Sequence, residues 1–284
     1  MAEFVDLPTA IARTVRDGDT LAIEGFTHLI PYAAGHEVIR QGRRDLALVR
    51  MTPDILYDQM IGMGMARRLR FSWGGNPGVG SLHRLREAVE QGWPRPLEIE
   101  EHAHAAMALA YQAGASNLPF AVLRGYVGTD HPKVNDNIRE LACPFTGEKL
   151  AAVAAIRPDV AIIHAQKADR AGNVLLEGIV GVQREAVLAA QRSVVTVEEI
   201  VEDFGPRSPN TPILPAWVVT CIAHVPGGAF PSYAHGYYPR HNGFYLAWDE
   251  ISRDRGRFRA WMEEFVLNRS TVLGPECLDE ARQP

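Results

Sequence analysis

Short apolar runs recur along this chain, each followed by an amphipathic stretch, and that alternation is the strongest constraint on its fold. The runs LAIEGF (residues 21–26), DLALVRM (45–51), LRFSW (69–73), PDVAIIHAQ (158–166) and SVVTVEEI (193–200) have strand length and little polar interruption. Successive side chains of a strand point to opposite faces, so such a run is buried on both, as in a parallel sheet covered by helices. Residues 7–15 and REAVLAAQR (184–192) carry helical spacing instead, and the turn RDGDT (16–20) leads from the first helix into the first long strand. The pattern predicts an α/β fold with a mostly parallel sheet flanked by helices, as a single domain over residues 1–284. AWVVTCIAHV (216–225) reads as a further strand and residues 254–267 as a helix packed back on the body. Residues 203–215, with four prolines, read as an extended loop that is functional or a partner contact.

Composition removes several classes of function. A chain of 284 residues that is 46% hydrophobic can bury a large core. Its net charge of −5 is mild and its basic residues are dispersed, which argues against nucleic-acid and anionic-membrane partners. The three cysteines, Cys143, Cys221 and Cys277, are far apart and in no CxxC spacing, so neither a disulfide framework nor a thiolate metal site is expected. No run reaches the roughly 18 apolar residues of a membrane span. The N-terminus, with Glu3, is amphipathic rather than signal-like. Reduced thiols in a cytoplasmic protein fit these features.

Chemistry has to be sought without the common fingerprints, because GxSxG, Walker A, HExxH and GxGxxG are all missing. The stretch FSWGGNPGVGSLHR (71–84) packs four glycines between a strand and a helix. Glycine there serves either the turn alone or the approach of a ligand to bare N–H groups at a helix start. EEHAHA places Glu100, Glu101, His102 and His104 together, but with poor spacing for one metal on a helix, so no metal is expected. The segment 224–245 carries His224, His235 and His241 with four tyrosines, in the irregular spacing of an aromatic interface loop rather than a metal site.

Seven stretches in a fixed order carry a family resemblance: residues 17–54, FSWGGNPGVGSLHRLREAVEQG (71–92), PLEIEEHAHA (96–105), NLPFAVLRGYVGTD (117–130), RPDVAIIHAQKADRAGNVLLEG (157–178), VTVEEIVED (195–203) and HVPGGAFPSYAHGYY (224–238). Together they resemble the A (alpha) chain of the two-subunit class I CoA-transferases, in the branch of the glutaconate and the longer 3-oxoadipate CoA-transferases. The resemblance implies a heteromer with a related B subunit, the active site lying at their interface. It also implies coenzyme A as substrate rather than a resident cofactor, and a role in breaking down aromatic compounds. In that family the nucleophile is a glutamate of the B subunit, which attacks the acyl-CoA thioester. The acyl-glutamyl anhydride so formed is opened by CoA thiolate to a glutamyl-CoA thioester, and a second acid completes the exchange. A glutamate followed by Asn or Ser and Gly is missing here, since Glu198 and Glu199 precede Ile200 and Glu177 precedes a lone Gly178.

The substrate-binding expectations follow from both lines. Backbone donors of Gly74, Gly75, Asn76, Gly78, Val79, Gly80 and Ser81 are placed to receive a carboxylate or the charge developing at an acyl carbon. Gly25, Phe26, Thr27 and His28 follow a strand end, where α/β sites form. Arg50 and Arg124 are candidates to fork onto a dicarboxylate. The alternative is a CoA-thioester or ring-opening hydrolase of the same architecture, with Glu101 as its base.

Overall fold

The computed structural model describes residues 2–77, 79–269 and 272–274; Gly78 and Cys277 lie outside the described residues. The chain runs β1 (Glu3–Phe4), α1 (Leu7–Thr14), β2 (Thr20–Ile23), α2 (Tyr32–Arg40), β3 (Leu46–Val49), α3 (Ile55–Gly62), β4 (Ala66–Phe71), α4 (His83–Gln91), β5 (Glu98–Glu101) and α5 (His104–Ala115). A smaller unit follows, made of β6 (Phe120–Leu123), α6 (His131–Val134), β7 (Ile138–Ala142) and β8 (Lys149–Ala154). The chain then returns through β9 (Val160–Asp169), β10 (Val174–Leu175), α7 (Gln183–Ala189), β11 (Arg192–Val201), β12 (Ile213–Leu214), β13 (Cys221–His224), α8 (Asn242–Arg253) and α9 (Arg255–Met262).

The main sheet has the order β1-β13-β11-β9-β2-β3-β4-β5, parallel throughout, with β10 and β12 attached antiparallel beside β9. From β2 the chain winds outward through β3 and β4 to β5, then crosses to the other side of β2 and continues through β9, β11 and β13. The winding direction therefore reverses between β2 and β9, and in open α/β sheets ligands bind outside the strand C-termini at such a reversal. The loops after β2, β3, β4 and β5 also lie side by side, since these strands are consecutive neighbours about 4.8 Å apart.

Both faces are covered at the centre of the sheet, which is why β2, β3, β9 and β11 read as apolar runs, whereas β4 (ARRLRF) and β5 (EIEE) toward the edge are only partly buried. On β2, Leu21 and Ile23 join a core with Leu56, Met60, Trp248 and Phe258, while Ala22 joins a second core with Met107, Tyr111, Ile163 and Val195. Trp248 is fully buried and its indole N–H donates to Asp58 at 3.0 Å, which satisfies its polar edge. Three features were not legible in the sequence. The antiparallel sheet β6-β8-β7 lies apart from the main one. The stretch 216–225 is a strand only over Cys221–His224, because residues Ala216–Val218 after Pro215 form a 3-10 turn with Trp217 exposed. The segment 224–245 is not a surface loop: Ala229, Phe230, Ser232, Ala234 and Phe244 are buried, and Phe230 belongs to the main core.

Candidate active site

The turn after β2 is held in a costly conformation. A Cβ on Gly25 would lie 2.8 Å from Leu29 O and Ile30 Cα, so only glycine allows the chain to fold back there. Thr27 (φ 57°) and Leu29 (φ 51°) sit in the left-handed region, and for a β-branched residue that is a genuine outlier. Conformations of this kind cost of order 1–3 kcal/mol and persist only where the surroundings enforce them. Here Leu29 N–H donates to Tyr233 O at 3.0 Å, Ser232 Oγ donates to Thr27 O at 3.0 Å, and Arg50 Nη2 donates to Gly25 O at 2.8 Å.

His28 is part of that enforcement. It is buried, its Nε2 accepts the N–H of His235 at 3.0 Å, and its Nδ1 faces Ile179 O at 3.0 Å. The two contacts select the neutral Nδ1–H tautomer, and burial lowers the ring's pKa in the same direction. Both ring nitrogens are thus engaged by backbone, so the expected substrate contact from His28 is replaced by a structural latch.

Arg50 also departs from expectation. It is fully buried, with Nη1 on Asp54 Oδ1 at 3.0 Å and Nη2 on Asp54 Oδ2 at 3.2 Å. Its fork is therefore occupied by the chain's own carboxylate, in the two-pronged geometry that would otherwise grip a substrate. Glu24, immediately before the turn, is equally buried and accepts from Met51 N–H at 3.1 Å and Tyr111 O–H at 2.8 Å. Burial pushes its carboxyl up to about 7, against the opposing pull of Arg50 and Tyr111.

The glycine-rich loop after β4 serves a different end. Asn76 Nδ2 donates to Tyr245 O at 2.6 Å, and Ser81 N–H donates to Asp249 Oδ1 at 3.2 Å. The same Asp249 oxygen lies 2.9 Å from His83 Nε2. Gly80, at φ 154°, has no Cβ because one would sit 2.6 Å from Asp249 Oδ1. The end of the loop thus receives a carboxylate, as the sequence implies, but that carboxylate belongs to α8. At its start Trp73 and Gly74 are exposed, but Gly75 N–H donates to Pro53 O at 3.2 Å and Val79 N–H to Asn76 O at 3.1 Å, so these two expected donors are also taken within the chain.

Between the two loops lies a cavity of about 320 Å³ lined by Phe26, Thr27, Thr52, Asp54, Trp73, Pro77 and His104. Each lining segment follows one of the four adjacent strands β2, β3, β4 and β5, so the cavity is a direct product of the strand order. Phe26 stands edge-on to the His104 ring, with centroids 6.4 Å apart. Phe26 and Thr27 are the expected site residues that line it; Thr52, Asp54, Trp73 and Pro77 carry no such expectation in the sequence, and His104 stands there only as a metal candidate. A signal for Asp54 was present, since it stands four residues after Arg50 and just before a helix.

A sequence profile of the Coenzyme A transferase family matches residues 4–224. The chain belongs to that family. It is 65% identical over 266 residues to the A chain of 3-oxoadipate CoA-transferase from Pseudomonas knackmussii, covering 94% of both chains. It is 31% identical to the A chain of glutaconate CoA-transferase from Acidaminococcus fermentans, covering 94% of this chain and 89% of that one. The crystal structure of that organism's glutaconate coenzyme A-transferase superposes with a TM-score of 0.90 at 30% identity, over 98% of this chain and 95% of the other. A cysteine-to-serine variant of the decarboxylase AibA/AibB superposes at 0.79 with 29% identity, over 93% of this chain and 99% of that chain. The CoA-transferase architecture therefore also carries a decarboxylase, and the site rather than the fold has to decide the chemistry.

Other charged groups of this CoA-transferase chain are committed elsewhere. Arg124 forks onto Glu148 at 2.6 and 2.9 Å on the exposed small sheet, so it too has its carboxylate. Glu100 is buried under Arg70 (2.6 Å), His102 (2.9 Å) and Asn137 (2.9 Å). Burial opposes its ionisation, but His102 and Arg70 outweigh it and hold the carboxyl below the usual range. Glu101, its neighbour, is exposed at the end of β5. Glu198 is buried between His164 Nε2 (2.7 Å), Tyr238 O–H (2.5 Å) and Gly227 N–H (2.8 Å). It anchors the segment 225–238 beside a second, apolar cavity of about 510 Å³. Among the described residues no group of three or more His, Cys, Asp and Glu could hold a metal ion. No helix among them is long and apolar enough to cross a membrane.

Proposed function

We propose that this chain is the A (alpha) component of a heteromeric CoA-transferase that moves CoA from an acyl-CoA such as succinyl-CoA to a 3-oxo or dicarboxylic acid such as 3-oxoadipate. Its partner is a B subunit that carries the nucleophilic glutamate, in an αβ or (αβ)₂ assembly, and the whole of residues 1–284 acts as one domain in the cytoplasm. CoA passes through as substrate, with no resident cofactor, metal, nucleic acid or membrane partner.

One observation carries the division of labour. Asp54 is the single carboxylate among the described residues lining the cavity, and both its oxygens are held by Arg50. A carboxylate in that state is a poor nucleophile, so the glutamate that opens the thioester has to arrive from outside the chain. This chain then supplies the wall and floor against which the acid lies while the partner's carboxylate exchanges acyl for CoA.

The test is transfer from succinyl-CoA to 3-oxoadipate by the purified chain with and without its B subunit. Borohydride or hydroxylamine trapping and mass spectrometry of both chains then locate the glutamyl-CoA adduct. The expected result is no transfer by the chain alone and an adduct on the partner. Robust transfer without a second polypeptide would overturn the assignment, and an adduct on Glu101 would make this chain the nucleophilic subunit; hydrolysis with no adduct on either chain would favour the hydrolase alternative with Glu101 as base.

A further inference from the structure

A carboxylate held in the cavity has to be met by donors, and the two arginines that the sequence offers for this are both taken, Arg50 by Asp54 and Arg124 by Glu148. Besides the indole N–H of Trp73, three other side chains with donors line the same space: the His104 imidazole and the hydroxyls of Thr27 and Thr52. None of the three makes a side-chain hydrogen bond within the chain among the described residues; Thr27 and Thr52 are half-buried and His104 is exposed at the mouth of the cavity, so all three are open to a ligand. The neighbouring Asp54 does not repel an anion strongly, because the guanidinium of Arg50 balances its charge at 3.0 Å. Phe26, Trp73 and Pro77 give the remaining walls, which suit a short methylene chain.

Threonine at position 27 adds weight. The left-handed φ of 57° is one that glycine would adopt without cost, yet a β-branched residue stands there, and its hydroxyl is what glycine would lack. His104 opens α5 and stands edge-on to the ring of Phe26, the centroids 6.4 Å apart at 83°.

Resting on the transferase reading above, we infer that His104, with the hydroxyls of Thr27 and Thr52, binds the distal carboxylate of the acid substrate and thereby selects diacids over monoacids. The near carboxylate, the one that exchanges CoA, then points out of the cavity toward the partner's glutamate. His104 touches substrate in this arrangement but takes no part in bond making; it determines specificity.

The experiment, on the complex with its B subunit, compares 3-oxoadipate with the monoacid 3-oxohexanoate in wild type, His104→Ala and His104→Gln. Loss of a hydrogen bond to a charged group is expected to lower kcat/KM for the diacid roughly 10- to 100-fold, mainly through KM, with the monoacid within about twofold of wild type. His104→Gln, which keeps a donor, should recover part of the loss. A parallel fall for both acids, or an intact diacid preference in His104→Ala, would refute the inference. A second measurement needs no turnover: adipate titrated onto the complex should shift the His104 imidazole ¹⁵N resonances while hexanoate does not, and an unmoved ring refutes the inference even if transfer is robust. If neither acid accepts CoA but adipate moves the ring, the inference stands and the substrate assignment falls.

Discussion

The loops after β2 and after β4 look alike in sequence, each a glycine-bearing turn between a parallel strand and a helix, yet the structure uses them oppositely. The β4 loop brings backbone donors to the start of α4 and then fills that position with Asp249 of α8. The β2 turn holds Thr27 and Leu29 in left-handed conformations and leaves Phe26 and Thr27 facing an open cavity. A glycine-rich loop is a ligand site only where the protein's own side chains have not already satisfied it. Strain without an internal occupant is the better pointer to function, because it persists only where the surroundings over-determine it.

Three experiments sharpen or break this contrast. The largest expected effect concerns the acid beneath the first turn. Glu24 has a folded-state value of about 7 against an ordinary 4.5. Between those values the folded state holds a proton that the unfolded state has released, so stability falls as pH rises across the window. Below 4.5 both states are protonated and no penalty exists; above 7 the penalty is complete, about 3 kcal/mol at 1.36 kcal/mol per unit. Asp58, also raised to about 7, and His36, lowered to about 4, shape the same region of the whole-chain curve. The difference between wild type and Glu24→Gln removes their contribution. Chemical denaturation from pH 4.5 to 8 should show the variant gaining about 3 kcal/mol on wild type over that range, on top of a constant offset for the altered hydrogen bonds. A flat difference would mean that Glu24 is ionised throughout and that the turn rests on a charged floor.

The second experiment attacks the other loop. Asp249→Ala removes the acceptor for Ser81 N–H and His83 and should cost about 1–2 kcal/mol, comparable with the loss of a helix cap. Asp249 lies in α8 and does not line the cavity, so kcat/KM of the complex should stay within about threefold of wild type. A tenfold loss of activity at unchanged stability would return the β4 loop to the substrate-binding role that its glycines suggest.

These contrasts also mark what the sequence could reveal. The strands were visible because a sheet buried on both faces imprints itself as unbroken apolar runs, as LAIEGF and PDVAIIHAQ do. The row of loops that forms the cavity follows from consecutive parallel strands lying side by side, so the neighbourhood of Phe26 and Thr27 was legible too. The occupant of the glycine loop was not, since Asp249 stands 168 residues from Ser81 and nothing local couples them. Arg50 was misread for a nearer reason. It lies between Val49 and Met51 in an apolar run, which signals burial, and a buried guanidinium requires a carboxylate of its own, here Asp54 four residues on at the start of α3. His104 was hidden by its neighbours: Glu100 and His102 make an inward network with Arg70, and only the register after β5 separates His104 from it and turns it toward Phe26.

The smallest effect expected is also the most discriminating, because its two readouts move in opposite directions. Thr27→Gly relieves the left-handed backbone at φ 57° and deletes the hydroxyl. Relief of strain favours the folded state by about 1 kcal/mol, partly offset by the greater freedom that glycine confers on the unfolded chain. The net change in stability should therefore lie between zero and about 1 kcal/mol in the variant's favour, read by thermal or denaturant unfolding of the complex. Its kcat/KM for 3-oxoadipate should fall by about three- to tenfold through the loss of one of three donors, with the monoacid unaffected. A protein that tolerates strain at Thr27 for the sake of its substrate has to show both changes together. If stability rises and diacid preference is unchanged, the strained threonine serves the turn alone, and the distinction between the two loops reduces to which of them the chain happens to fill.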